Sequence, residues 1–234
     1  GRTLQLLRYF PGRFVALSEG DYVEVSQELR QQLEVVSEDL KMSQLSAPAL
    51  AELELPFEGD DGFRQRLDQF EQLGHYWPDP PATLQLDMRD YQRAGYQWLA
   101  QRARAGLGCC LADDMGLGKT VQALALMLLR RSQGPCLVVC PTSVMANWRD
   151  QIVRYTPTLT PLLYEGKERA LESLEVGQVV ILSYRILLQD QAKISRLEWN
   201  VALLDEAQFI KNPESKTARV ACSIRAEVRL ATIG

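Results

Sequence analysis

Between residues 107 and 131 an apolar run, a glycine-bearing turn and a helix-forming run follow one another without a gap. That succession leaves few folds open. Leu107-Gly108-Cys109-Cys110-Leu111-Ala112 is compact and apolar, as a strand buried in a parallel sheet is. Val121 to Arg131 reads Val-Gln-Ala-Leu-Ala-Leu-Met-Leu-Leu-Arg-Arg, mostly strong helix formers. Asp113-Asp114-Met115-Gly116-Leu117-Gly118-Lys119-Thr120 joins the two.

The remainder of residues 81–234 repeats this alternation. Apolar periodicity predicts helices over 90–104, 119–131, 144–155, 167–174 and 214–225. It predicts strands over 108–111, 136–140, 161–164, 178–182 and 200–205, with a last strand beginning near 228. Strands and helices in alternation imply an α/β fold, a parallel sheet with helices on both faces. Ligands of such sheets sit beyond the carboxyl ends of the strands, where Asp113 and Asp205 both fall.

Residues 1–80 follow a different grammar and are expected to form a small α+β accessory domain. Residues 12–17 and 22–25 flank Ser18-Glu19-Gly20-Asp21 as a β-hairpin would. Helices are expected over 26–36, 46–55 and 63–73, and Trp77-Pro78-Asp79-Pro80-Pro81 breaks the chain. Charge divides at the same place. Residues 1–83 carry 7 basic and 15 acidic side chains, and residues 84–234 carry 19 and 15. The acidic part is a poor nucleic-acid surface, whereas the second part can offer a basic face. No apolar run reaches membrane-span length, and the first residues lack a signal-like apolar core. The five cysteines form no C-x-x-C pair and the single histidine lies far from them, which argues against a zinc site and for buried free thiols.

The turn at 113–120 has the chemistry of a phosphate-binding loop. Gly116 and Gly118 let backbone approach an anion, and the following helix N-terminus attracts it. Lys119 can reach the β- and γ-phosphates, and the Thr120 hydroxyl can ligate magnesium. The strict pattern G-x-x-x-x-G-K-[ST] fails at Asp113. A second acidic site lies at Val201-Ala202-Leu203-Leu204-Asp205-Glu206, an apolar run ending in two carboxylates. Asp205 is placed to hold magnesium and Glu206 to activate the attacking water. Taken alone the pair equally suits an acidic helix cap. Following a phosphate loop in this order, it favours the catalytic reading.

These motifs together resemble the first RecA-like lobe of the bacterial Swi/Snf-type ATPases of helicase superfamily two. Met88-Arg89-Asp90-Tyr91-Gln92, followed by Gly95-Tyr96-Gln97-Trp98-Leu99, is similar to the family's Q motif, which implies that Gln92 reads adenine. The loop from Asp113 through Met115, Gly116, Leu117, Gly118 and Lys119 to Thr120 is similar to D-E-x-G-L-G-K-T, with Asp114 in place of glutamate. Pro141-Thr142-Ser143 with Asn147-Trp148 resembles motif Ia, and Ser183-Tyr184 resembles motif Ib. The resemblance implies that Pro141, Thr142, Ser143, Ser183 and Tyr184 touch the DNA backbone. Without it, the hydroxyls are turn and cap groups, Gln92 is a solvated helix residue, and Trp98 and Trp148 are core anchors. Asp205-Glu206-Ala207-Gln208 resembles motif II, and residues 229–234 resemble the start of motif III.

The resemblance implies ATP and Mg2+ as cofactors and double-stranded DNA as the track, with contacts mostly to phosphates. It further implies a second RecA-like lobe in the full-length chain, a protein partner for residues 1–80, and a cytoplasmic, nucleoid-associated setting. Without the second lobe's arginines, hydrolysis is expected to fall by roughly 10³–10⁵-fold, leaving the 234 residues alone poorly active. The alternatives are a nucleotide-dependent DNA-binding or scaffold module without turnover, and a strand-separating helicase.

Overall fold

The computed structural model describes residues 14–18, 21–24, 76–114, 116–166, 169–171 and 173–233. The chain divides into two compact units, Gly1–Gln72 and Leu73–Gly234. In the first, β1 (Phe14–Ser18) pairs antiparallel with β2 (Asp21–Glu24), closing at Ser18 opposite Asp21. The helices expected over 26–36, 46–55 and 63–73 lie outside the described residues.

The second unit opens with the proline-rich stretch, which is pinned to α1 (Asp90–Arg104). The Tyr96 hydroxyl donates to the Asp79 carbonyl at 3.2 Å, and the Arg104 guanidinium sits 4.5 Å from the Tyr76 ring centre. Six strands follow: β3 (Cys109–Leu111), β4 (Cys136–Cys140), β5 (Thr160–Leu163), β6 (Gln178–Ser183), β7 (Glu198–Leu204) and β8 (Arg225–Thr232). All pair in parallel, in the order β3-β8-β7-β4-β6-β5. Pro161 sits in β5, an edge strand, where a missing N–H does least harm to the ladder.

Strand alternation sorts the core into two layers. Cys136, Val138 and Cys140 of β4 face one side with the buried residues of α1, α2 (Lys119–Leu129) and α3 (Met145–Tyr155). Leu137 and Val139 face the other, against α4 (Tyr184–Gln189), α5 (Gln191–Ile194) and α6 (Lys216–Cys222). The sheet is therefore covered on both faces, which accounts for its near-continuous apolar strands.

Polar ties fix the ends. Asn200 at the start of β7 accepts from Arg130 Nε at 2.8 Å and donates to the Arg130 carbonyl at 2.6 Å, and Arg130 also pairs with Glu227 of β8. The carboxyl end of α2 is thus tied to two strands, which aims its N-terminus at the opposite edge of the sheet. Arg169 makes a two-pronged ion pair with Asp190, whose carboxyl it holds below the usual carboxylate range.

The structure corrects several expectations. Of 167–174, the described residues are not helical: Ser173 adopts a left-handed φ of 62°, and Arg169 is engaged with Asp190. Helices α4 and α5 had no sequence counterpart, because a six-residue and a four-residue helix are too short to show a period. Residue 225, expected at the end of a helix, already begins β8, and α6 ends at Cys222. Only Cys136 and Cys140 are buried thiols, while Cys110 and Cys222 are exposed. Trp98 is not a core anchor: it lies at the surface under Arg102, 5.5 Å from its ring centre.

Candidate functional site

Strand register brings the motifs to one edge. Leu111 pairs with Thr232, Leu204 with Ala231, Val139 with Leu204 and Cys140 with Ser183. The loops after β3, β4, β6 and β7 therefore all leave the sheet at its carboxyl edge.

The glycine loop begins there. Gly116 and Gly118 have φ of 84° and 81°, the left-handed region where a side chain is strained. Gly118 is the cap residue of α2 and no side chain caps that helix, so its first N–H groups face outward for an anion. Lys119 Nζ donates to the carbonyls of Asp113 and Asp114, the latter at 3.1 Å, which folds the loop over its own helix start. Met115 lies outside the described residues. The open helix terminus, the two left-handed glycines and the lysine fit a triphosphate.

Gln92 lies against this loop rather than in solvent, with only 8% of its surface exposed. Its Nε2 donates to the Leu117 carbonyl at 3.2 Å, and its Oε1 accepts from Arg89 N–H at 3.0 Å. A Cβ on Gly118 would stand 2.2 Å from Gln92 Nε2, so the glycine is needed for this approach as well as for its φ. One N–H and one lone-pair site remain on the amide, the complement of an adenine edge.

Asp205 leaves β7 directly into the site and is held on every side. Its N–H donates to the Val139 carbonyl at 2.8 Å, and its carbonyl accepts from the Tyr184 hydroxyl at 2.9 Å. Its carboxylate accepts from Trp148 Nε1 at 2.8 Å and from the Thr232 hydroxyl at 2.6 Å. A carboxylate offers about four lone-pair sites, so roughly two stay open to a cation or its water. Among the described residues no cluster of three or more His, Cys, Asp or Glu could hold a metal alone. The candidate donors are instead one carboxylate and the Thr120 hydroxyl, which would suit the sparse protein ligation that magnesium takes beside phosphate oxygens. Burial pushes the neighbouring Cys140 thiol up to about 12, with the Asp205 charge adding to it. Burial likewise raises the Tyr184 hydroxyl, with the Asp205 charge adding to it.

Glu206 has φ 54° and ψ 52°, left-handed for a residue with a side chain, at a cost of about 1–2 kcal/mol. Strain of this kind persists where surrounding bonds impose it and clusters at functional sites. Here the Asp205 bonds impose it from before, and Phe209 N–H donating to the Glu206 carbonyl at 3.0 Å imposes it from after. Gln208 Nε2 donates to the Glu206 carboxylate.

The nucleic-acid candidates separate. Thr142 and Ser143 are exposed in a 3₁₀ turn beyond β4, with Pro141 half-buried before them. Ser183 and Tyr184 are buried. The Ser183 hydroxyl caps α4, accepting from Ile186 N–H at 3.3 Å, and the Tyr184 hydroxyl is spent on Asp205. Sequence reasoning missed the Trp148 and Thr232 bonds to Asp205. No local signal pointed to them: Thr232 ends β8 and Trp148 lies in α3 after β4, and only the strand order sets both beside β7.

A parallel sheet with a glycine loop feeding one helix and an acidic pair ending a strand two places away in the sheet defines a RecA-like P-loop lobe. The chain belongs to the SNF2 family: a SNF2-related domain matches residues 91–234. It is 39% identical to Bacillus subtilis (strain 168) YwqA over 141 residues, 56% of this chain and 15% of YwqA. It is 35% identical to the ATP-dependent helicase BRM of Arabidopsis thaliana over 166 residues, 66% of this chain and 8% of BRM. The Sulfolobus solfataricus SWI2/SNF2 ATPase core in complex with dsDNA matches with a TM-score of 0.63 and 33% identity. That match covers 68% of this chain and 34% of the archaeal one. The matched part is the first lobe of a Swi/Snf-type ATPase core. The chain spans about a third or less of the length of each of these relatives.

Proposed function

We propose that this chain is the ATP-binding lobe of a DNA-dependent ATPase that moves along double-stranded DNA and displaces or remodels protein bound to it. The observation that carries the reading is the convergence at one sheet edge of an open helix N-terminus with Lys119 and a rigidly held Asp205–Glu206 pair. The archaeal relative's complex with dsDNA supports the choice of track.

In this reading the loop from Asp113 through Gly116 and Gly118 wraps the phosphates. Lys119 exchanges its two loop carbonyls for β- and γ-phosphate oxygens, and Gln92 reads adenine with its remaining N–H and lone pair. Thr120 and Asp205 hold Mg2+, which neutralises charge developing on the transferred phosphoryl group. Glu206 orients the attacking water and takes its proton, and the Gln208 amide aims that carboxylate. Pro141, Thr142 and Ser143 meet the DNA backbone directly, while Ser183 and Tyr184 brace the turns behind them. The first unit serves as an accessory domain with a protein partner of its own. A second RecA-like lobe completes the γ-phosphate site and the DNA track in the full-length, cytoplasmic protein. Among the described residues no helix is long and apolar enough to cross a membrane.

Glu206→Gln in the full-length protein tests the assignment. Losing a general base removes about 10²–10⁴-fold in rate. DNA-stimulated hydrolysis is therefore expected to collapse while Mg2+–ATP binding persists. Unchanged turnover overturns the role of Glu206. Displacement of a triplex strand without unwinding of a forked duplex separates translocation from helicase action.

A further inference from the structure

Trp148 is the residue at this edge with the largest unexplained role. It is 2% exposed in α3, and its ring packs in the core shared with α1 and α2. Burial of an indole needs a partner for its N–H. A main-chain carbonyl would serve that need. Here the partner is Asp205 Oδ2, at 2.8 Å, on a different element. Thr232 on β8 takes Oδ1 from the other side. The carboxylate therefore cannot rotate about its last bond without breaking one of two charge-assisted bonds.

The position of Trp148 along α3 adds a second consequence. The helix begins at Met145, immediately after the exposed 3₁₀ turn Thr142–Val144. Three residues at 1.5 Å each place the Trp148 backbone about one turn, roughly 4.5 Å, further along. Met145 N–H, the first of α3, donates to the Thr142 carbonyl, so the turn is continuous with the helix it starts. The first turn of α3 therefore links the indole to that exposed turn.

Resting on the nucleotide-site reading above, we propose that Trp148 is a positioning residue. Its indole N–H sets the rotation of the Asp205 carboxylate toward the metal and ties that carboxylate to the turn at Thr142–Val144. Outer partners of a metal-binding carboxylate commonly govern affinity in this way, and losing one costs about 10–100-fold.

The test is a binding measurement in the full-length protein and needs no turnover. The affinity of a fluorescent ADP analogue is measured with Mg2+ and again in EDTA, and the ratio is the metal's contribution. Trp148→Phe keeps an aromatic ring and removes the donor. It is expected to lower the Mg2+ contribution by about tenfold or more, with the EDTA affinity within about twofold of the parent. Replacing Trp148 with β-(benzothien-3-yl)alanine, which keeps the bicyclic shape and lacks the N–H, separates the hydrogen bond from packing. It is expected to reproduce the loss even where the phenylalanine variant folds poorly. Thr232→Val, which strips the other oxygen, is expected to act in the same direction. An unchanged Mg2+ contribution in the benzothienyl variant, with Asp205→Asn abolishing it, reduces Trp148 to a core residue and overturns this proposal alone. If Asp205→Asn also leaves it unchanged, the metal-site reading itself fails.

Discussion

Gly95→Ala perturbs the contact that sets the separation of α1, which carries Gln92, from α2, which carries Lys119 and Thr120. An added Cβ would stand 2.1 Å from Gln122 Oε1 and 2.9 Å from its Cδ, so the amide must move by more than 1 Å. The amide is the end of a flexible side chain, but Gln122 is 0% exposed and has no route to solvent. Alanine in a helix interior gains about 0.5–1 kcal/mol over glycine, whereas overfilling a packed core costs about 1–3 kcal/mol. The balance is a destabilisation of about 1 kcal/mol. Gln122 Nε2 and Oε1 both lack a hydrogen-bond partner among the described residues, so deleting this side chain forfeits packing but no bond seen in the lobe. Gly95→Ala combined with Gln122→Ala should therefore recover the loss and retain the helix gain, a coupling of about 1 kcal/mol or more. Urea unfolding followed by tryptophan fluorescence measures this in the second unit, which contains Trp77, Trp98, Trp148 and Trp199. A Gly95→Ala variant that is stabilised by the propensity gain, with additive behaviour in the double variant, refutes the reasoning.

Gly118→Ala meets two obstacles, a φ of 81° and Gln92 Nε2 at 2.2 Å, and should weaken nucleotide binding by at least about tenfold in calorimetric titration. Gly116→Ala, at φ 84° with open space around its Cβ, should lose less stability than Gly118→Ala, and the reverse order would contradict the Gln92 contact. Thiol labelling at pH 8 should modify Cys110 and Cys222 quickly in the native state. Cys109, which burial pushes up to about 11, should react slowly, and Cys136 and Cys140, pushed to about 12 by the same cause, should react only after denaturation. Rapid native labelling of either buried thiol would show that β4 is not closed as described.

The alternating strands and helices, the glycine loop and the acidic strand end were legible in the chain because each is a local pattern. A buried parallel strand is apolar whatever lies beside it, and a left-handed turn favours glycine whatever ligand it meets. Element boundaries and the short helices α4 and α5 were not legible, since six or four residues cannot display a period. The same limit applied to partners. From the residues alone Trp148 was a core anchor and Gln92 a solvated helix residue, and only the family resemblance made Gln92 a reader of adenine and put Thr232 in motif III. Strand order β8-β7-β4 put Trp148 and Thr232 on either side of Asp205, and the packing of α1 on α2 brought Gln92 onto the loop. The sequence by itself determined which residue types stand at the carboxyl edge, because that follows from short-range pattern. Only the tertiary structure decided which side chain holds which, because those bonds join residues 25 to 57 positions apart through the register of a parallel sheet and the packing of its helices.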